Sequence, residues 1–312
     1  MTEAATVARR KPKGRPVHGW LAVDKPQGWT STQALNAVKR MLTPAKAGHG
    51  GTLDPLATGV LPLAFGEATK TVAFVMDAPK AYAFTVRFGE ARDTDDADGA
   101  VVATSALRPS DDEIRAALPD FVGEIEQVPP TYAAVKVEGE RAYDLARRGE
   151  AVELKARTVR VDRLELAARL DADHAEFEME CGKGAYVRAI ARDLGERLGC
   201  LAHVTTLRRT RVGPFTADRA LRLDVLERLV ADDALFQVMA PVSTVLADIP
   251  ALAVTEPQAQ RLRSGQRIRV APGLLTGCAR EDGTVRAVVA DRTIALAKLH
   301  GADLDPVRVF ND

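Results

Sequence analysis

Cysteine is scarce in this 312-residue chain: Cys181, Cys200 and Cys278 are odd in number and far apart. No CxxC pair and no Cys/His cluster occurs, which excludes a disulfide framework and a zinc site of ordinary ligand spacing. Free, buried thiols in a reducing cytoplasm are the reading that remains. Missing too is any apolar run long enough to span a bilayer. The basic leading segment is followed by no hydrophobic stretch, so no secretory signal is expected. Charge of one sign is absent in bulk, because 43 Lys and Arg balance 43 Asp and Glu. Nucleic-acid binding by net charge is thereby excluded, and only local clusters count. No Gly-rich strand–loop–helix fingerprint is present, so neither a nucleotide or flavin cofactor nor a metal is expected.

What is there suits a folded domain with a real core: 46% of residues are hydrophobic and 28% charged. The length fits one large domain, or a large one with a small one. Arg9, Arg10, Lys11, Lys13 and Arg15 face only Glu3, in a stretch without hydrophobic period, so residues 1–17 read as a flexible basic arm. A second basic stretch gathers Arg208, Arg209, Arg211, Arg219 and Arg222 around Asp218. Taken alone, either run is a solvated surface.

Gly19–Asp24 reads as a short strand. Thr30 and Gln33 form a capping-box pattern ahead of Ala34, Leu35, Val38, Met41 and Leu42, which predicts an amphipathic helix over 31–42. Residues 47–66, dense in Gly and Pro, read as an irregular loop with at most a short helix. A helix is expected at 67–76 and a strand at 80–88, with Tyr82, Phe84, Val86 and Phe88 on one face. The acidic loop 93–99 resembles a calcium loop only superficially, since the later bidentate Glu is absent. Ser110 with Glu113 opens another capped helix, and a strand runs through 133–137. Alternation over 174–181 turns Ala175, Phe177, Met179 and Cys181 inward. After Gly182–Gly184 a helix reaches about Leu198 and stops at Gly199. The pattern restarts beyond Asp248 with a helix at 257–263 and several short strands. The fold class is therefore α+β: a mixed, largely antiparallel sheet flanked by helices, then a small β-rich module.

The densest chemistry lies in Gly48-His49-Gly50-Gly51-Thr52-Leu53-Asp54-Pro55-Leu56-Ala57-Thr58-Gly59-Val60-Leu61-Pro62. Four glycines within its first dozen residues, with two prolines, specify a backbone of special dihedrals and close approach to a ligand. Read singly, Asp54-Pro55 is a good helix N-cap and His49 a hydrogen-bonded loop histidine. The whole segment, however, resembles the catalytic motif of bacterial-type tRNA pseudouridine-55 synthases, the TruB family. Further matching segments are Val23-Asp24-Lys25-Pro26-Gln27-Gly28, Gly66-Glu67-Ala68-Thr69-Lys70, Tyr82, Lys183-Gly184-Ala185-Tyr186-Val187-Arg188, and Leu201 through Arg209. The resemblance covers about residues 18–215 in order. Gly50 departs from it, many relatives carrying Thr or another residue there.

That resemblance implies an isomerase converting uridine to pseudouridine, at U55 of the TΨC loop of tRNA, without cofactor or metal. It implies Asp54 as nucleophile, Arg188 as its ion-pair partner and Tyr82 stacking on the uracil. His49, Tyr186, Leu207 and Lys25 become substrate contacts. Lys70, Lys136, Arg208, Arg209 and Arg211 become candidate phosphate contacts, which position RNA without reading it. The implied organisation is the arm 1–17, a pseudouridine synthase domain over 18–247 and a PUA-like RNA-binding domain over 251–312, in a cytoplasmic monomer whose partner is the TΨC stem-loop. The chemistry agrees: the base leaves N1, turns and rejoins through C5, with nothing oxidised or hydrolysed overall. One ionised carboxylate can serve as nucleophile or base, and a base inside folded RNA must be flipped out to reach it. A degenerate, purely RNA-binding synthase is a rival, but binding alone has no use for an ionised Asp54. A uracil C5 methyltransferase is another; it would need a cofactor loop and a nucleophilic thiol.

Overall fold

Period-two alternation and capped helical stripes build most of this chain. The computed structural model describes residues 14–133, 154–271 and 283–311, with 136–137, 140–141 and 148 between the first two segments. Most of the basic arm, the side chain of Lys136 and Cys278 lie outside the described residues. The strands are β1 Gly19–Lys25, β2 Ala47–His49, β3 Thr58–Phe65, β4 Lys80–Phe88, β5 Glu90–Arg92, β6 Val101–Thr104 and β7 Gly123–Gln127. Next come β8 Lys136–Val137, β9 Glu140–Arg141, β10 Arg157–Arg169, β11 His174–Cys181, β12 Ala202–Val212 and β13 Phe215–Thr216. A C-terminal set follows: β14 Ala251–Ala253, β15 Ile268–Arg269, β16 Thr284–Val289, β17 Arg292–His300 and β18 Asp303–Val309.

The main sheet runs β1-β3-β12-β4-β11-β10-β7, with β2 paired to β3 and β13 to β12. Its only parallel ladder among the described residues joins β3 to β12. The mixed, largely antiparallel α+β sheet is thus as the sequence predicts. Helix Ser31–Leu42 carries the expected capping box, in which Thr30 and Gln33 each satisfy the other's backbone N–H; such a cap contributes ~1 kcal/mol. Ser110 and Glu113 do the same for helix Asp111–Ala117. In β11 the inward set Ala175, Phe177, Met179 and Cys181 is buried as its alternation demands. Cys181 and Cys200 are free, buried thiols, and burial pushes the Cys181 thiol up to about 12.

The stretch 47–66 is a correction. It is not a loop throughout: β2 and the eight-residue β3 occupy it, and no α-helix lies within it. β3 is buried along nearly its whole length, so it shows no alternation, and Gly59 and Pro62 disguise it. Gly59 has a reason to be there. Its φ is +98°, and a Cβ would stand 2.2 Å from the Arg209 carbonyl oxygen on β12. Gly59→Ala should therefore cost ~3 kcal/mol or more, from backbone strain plus a clash with rigid backbone. Urea denaturation reads it, and an unchanged midpoint would contradict the close β3–β12 approach.

The C-terminal strands form a second sheet, β14-β16-β17-β18-β15, a curled half-barrel of PUA-like character over its own core of Leu252, Leu262, Ile268 and Val285. It is docked. Leu296 and Phe310 share an apolar cluster with Trp20, Val60 and Val75 of the first unit. No helix among the described residues is long and apolar enough to cross a membrane.

Candidate active site

Asp54 sits on a loop pinned from behind. Ser31, at the start of the first helix, accepts from Leu53 N–H (2.8 Å) and donates to Leu53 O (3.1 Å). Gly28 N–H donates to Pro55 O at 2.8 Å. Arg209, on β12, donates to Thr52 O (3.2 Å), Gly51 O (3.1 Å) and Val60 O (2.8 Å). Buried guanidinium and carbonyls satisfy one another here, and the loop's irregular backbone is fixed without regular structure. The Asp54 side chain remains 37% exposed, facing a cavity of about 270 Å³.

Arg188 is the second residue of the helix Val187–Arg197 and is 4% exposed. Its Nη2 lies 3.0 Å from Asp54 Oδ2, and its Nε lies 3.5 Å from Asp96 Oδ2. Nη1 donates to Thr94 O at 2.9 Å and Nη2 to Tyr132 O at 3.0 Å. One buried cation is thus clamped between two carboxylates and two carbonyls, which removes its freedom to swing. Asp96, 4% exposed, is oriented by Thr94 Oγ1 (2.6 Å) and by Asp98 N–H (3.1 Å). Burial raises the Asp98 carboxyl above its ordinary range, helped by the charges of Asp96 and Asp54. The acidic loop is the mount of Arg188. Its role was missed in the sequence because the only pattern it offered was an imperfect calcium loop.

Tyr82, Leu207, Tyr186, Arg209 and Lys80 complete the cavity wall. Tyr186 is held by Gln127, whose Oε1 accepts its N–H (2.8 Å) and whose Nε2 donates to its O (3.2 Å). Burial raises both phenols, with Arg209 opposing the rise at Tyr82. Each is a neutral ring with a polar tip, suited to stacking on a planar, uncharged base. Lys80 was also missed; it is buried and donates to Met76 O and Ala78 O. Burial, with Arg209 adding, lowers it to about 8.

Two family models match the chain, "TruB family pseudouridylate synthase (N terminal domain)" over residues 39–187 and "tRNA pseudouridylate synthase B C-terminal domain" over 188–247. The tRNA pseudouridine synthase B of Nitrobacter winogradskyi is 54% identical over 306 residues, covering 95% of this chain and 84% of that one. That of Gluconacetobacter diazotrophicus is 52% identical over 311 residues, covering 96% and 100%. The chain belongs to the TruB family of pseudouridylate synthases. Its fold is shared with the solved Cbf5-Nop10-Gar1 complex, at TM-score 0.70 and 24% identity over 94% of this chain and 85% of that one. An H/ACA RNP bound to a substrate RNA containing 2'-deoxyuridine gives TM-score 0.72 at 22% identity, over 99% and 93%.

In this TruB chain the expected residues Asp54, Tyr82, Tyr186, Arg188 and Leu207 come together around the cavity. His49 lies on β2, half-buried, outside the cavity lining. Lys25 lies outside the cavity lining. It is fully buried, and its Nζ donates to Pro26 O (2.9 Å), Trp29 O (2.6 Å) and Pro55 O (3.4 Å). These bonds brace the Asp54 loop from beneath. Arg209, 2% exposed, spends its donors on the carbonyls of Gly51, Thr52 and Val60 while lining the cavity. Arg208 is held by both Asp24 oxygens at 3.0 and 2.9 Å, and Arg211 by Glu180 at 2.5 Å. Lys70 donates to Glu67 Oε2 (2.6 Å) and Val309 O (2.7 Å), tying the two sheets together. Each of these three already has a carboxylate partner with which an RNA phosphate would compete.

Lys25 carries a pH signature. Burial, opposed by the Asp54 charge, lowers it from 10.5 to about 8. Between those values the unfolded chain binds the proton that the folded chain has released, so its contribution to stability rises with pH. The stability of the wild type relative to Lys25→Met should therefore increase from pH 8 to 10.5. Urea titrations in that window would contradict the buried placement if the difference stayed flat or fell.

Proposed function

We propose that this chain isomerises uridine to pseudouridine in tRNA, at U55 of the TΨC loop, with the Asp54 carboxylate as the reacting group. One observation carries the reading: a partly exposed carboxylate at a cavity wall, 3.0 Å from a buried arginine that is itself locked in place. The names of the relatives, tRNA pseudouridine synthase B, supply the substrate. Uracil flipped out of the loop enters between Tyr82 and Leu207, with Tyr186 across the cavity. Asp54 acts toward the nucleotide as nucleophile or base while the N1–C1′ bond breaks. Arg188 stabilises the charge on Asp54. The apolar wall leaves the freed base room to turn, and C5 then bonds C1′ as the C5 proton leaves and N1 gains one. Over 18–247 the chain performs this reaction as a monomer on the TΨC stem-loop, and 251–312 adds RNA-binding surface.

The test is incubation with unmodified tRNA and no organic cofactor, then nuclease digestion and mapping of pseudouridine. The expected product is pseudouridine at position 55. Pseudouridine elsewhere overturns the site, and methylated uracil or an unchanged tRNA overturns the reaction.

A further inference from the structure

Lys70, Arg208, Arg209 and Arg211 are engaged with protein groups, yet on the tRNA reading above the RNA backbone runs along the cavity mouth. Lys183 stands there. It lines the cavity on the turn Gly182-Lys183-Gly184, where Gly184 takes φ +91°, and its side chain is 64% exposed. It lies three residues before Tyr186. A second exposed cation lies near Tyr186: Arg157 on β10 is in register with Gln127 of β7, the residue that holds the Tyr186 backbone. The Arg157 charge also opposes the burial-driven rise of the Tyr186 phenol.

Lys183 has a partner, and that partner is exposed as well. Its Nζ lies 2.6 Å from Asp77 Oδ1, and Asp77 is 59% exposed. Asp77 closes the short helix Val72–Asp77 just before β4, and Lys183 follows β11, so the pair joins neighbouring strand ends beside the cavity. An ion pair so open to water holds its partner with a preference of only about fivefold at most. A phosphodiester at the mouth, which also releases counterions on binding, can take the lysine from it.

We propose that Lys183 contacts a phosphate flanking the flipped nucleotide, and that Asp77 competes with the RNA for it. The inference rests on the tRNA reading above and adds a binding residue and its competitor to that site. It predicts effects of opposite sign from the two halves of one ion pair. Loss of the lysine weakens binding; loss of the aspartate strengthens it. A pair that merely strapped the strand ends together would give two losses instead.

Filter binding of unmodified tRNA across a salt series tests this with Lys183→Gln, Lys183→Arg, Asp77→Asn and the double variant. Lys183→Gln should bind several-fold more weakly and lower the log–log salt slope by about 0.7–0.9, the value for one phosphate contact. Lys183→Arg should keep most of the affinity. Asp77→Asn should bind up to about fivefold more tightly, and should gain nothing when Lys183 is already Gln. An unchanged slope in Lys183→Gln, or weaker binding by Asp77→Asn, overturns the proposal while wild-type conversion of tRNA leaves the functional reading standing. A wild-type protein that forms no pseudouridine in tRNA overturns that reading, and this contact with it.

Discussion

Asp54→Asn should bind unmodified tRNA within about threefold of wild type yet lose at least ~10⁴-fold in single-turnover rate, the scale seen when a residue acting directly on the reacting atoms is removed. Asn keeps the shape of the side chain and can still face Arg188, so the loop and cavity are preserved. What disappears is the negative charge that a nucleophile or base requires. The loop itself is held by Ser31, Lys25 and Arg209 through backbone atoms, none of which involves the Asp54 carboxylate. Binding should therefore survive. Appreciable residual conversion, or a collapse of binding in a folded variant, would contradict the role given to Asp54.

Arg188→Ala should be the most disruptive single change in the site. It strands Asp96, which is 4% exposed, and leaves the carbonyls of Thr94 and Tyr132 without their donor. Breaking a buried pair on one side costs ~3–5 kcal/mol, and the loss of the cation beside Asp54 should lower the rate by ~10²–10³-fold. Arg188→Lys should recover part of the rate but not the stability, because an ammonium cannot serve two carboxylates and two carbonyls in one plane. Should Arg188→Ala fail to fold, Asp96→Asn reports on the same clamp: the arginine stays, less firmly oriented, and the rate should fall, though by less than the loss of the cation itself. Arg188→Ala with wild-type rate and urea midpoint would contradict the clamp altogether.

Legibility in the sequence followed the regularity of the local pattern. The helix 31–42 and strands β4 and β11 each present one buried face, so period and caps were enough to draw them. β3 is buried on both sides and shows no period. β10 does have one, but register shifts between Val161 and Arg163 and between Leu166 and Ala168 break it, so Val159, Val161 and Leu164 are buried out of step. Register also decides the fate of Arg208 and Arg209. These neighbours point to opposite faces of β12, one toward Asp24 and solvent, the other into the core behind the catalytic loop. Nothing in the pair of letters separates them. Asp54, Tyr82, Tyr186, Arg188 and Leu207 were found through family resemblance, since each has an ordinary structural explanation alone. The Arg188–Asp96 clamp was hidden because its members are ninety-two positions apart and the loop around Asp96 is irregular.

Tritium release from tRNA labelled at uracil C5 tests the central claim most directly. Joining C5 to C1′ must expel the C5 hydrogen, and neither binding nor base flipping does so. Wild-type protein should release label to water in proportion to pseudouridine formed, saturating at one uridine per tRNA, and Asp54→Asn should release none on the same timescale. Release by Asp54→Asn at the wild-type rate would show that the chemistry lies elsewhere than in the Asp54 carboxylate.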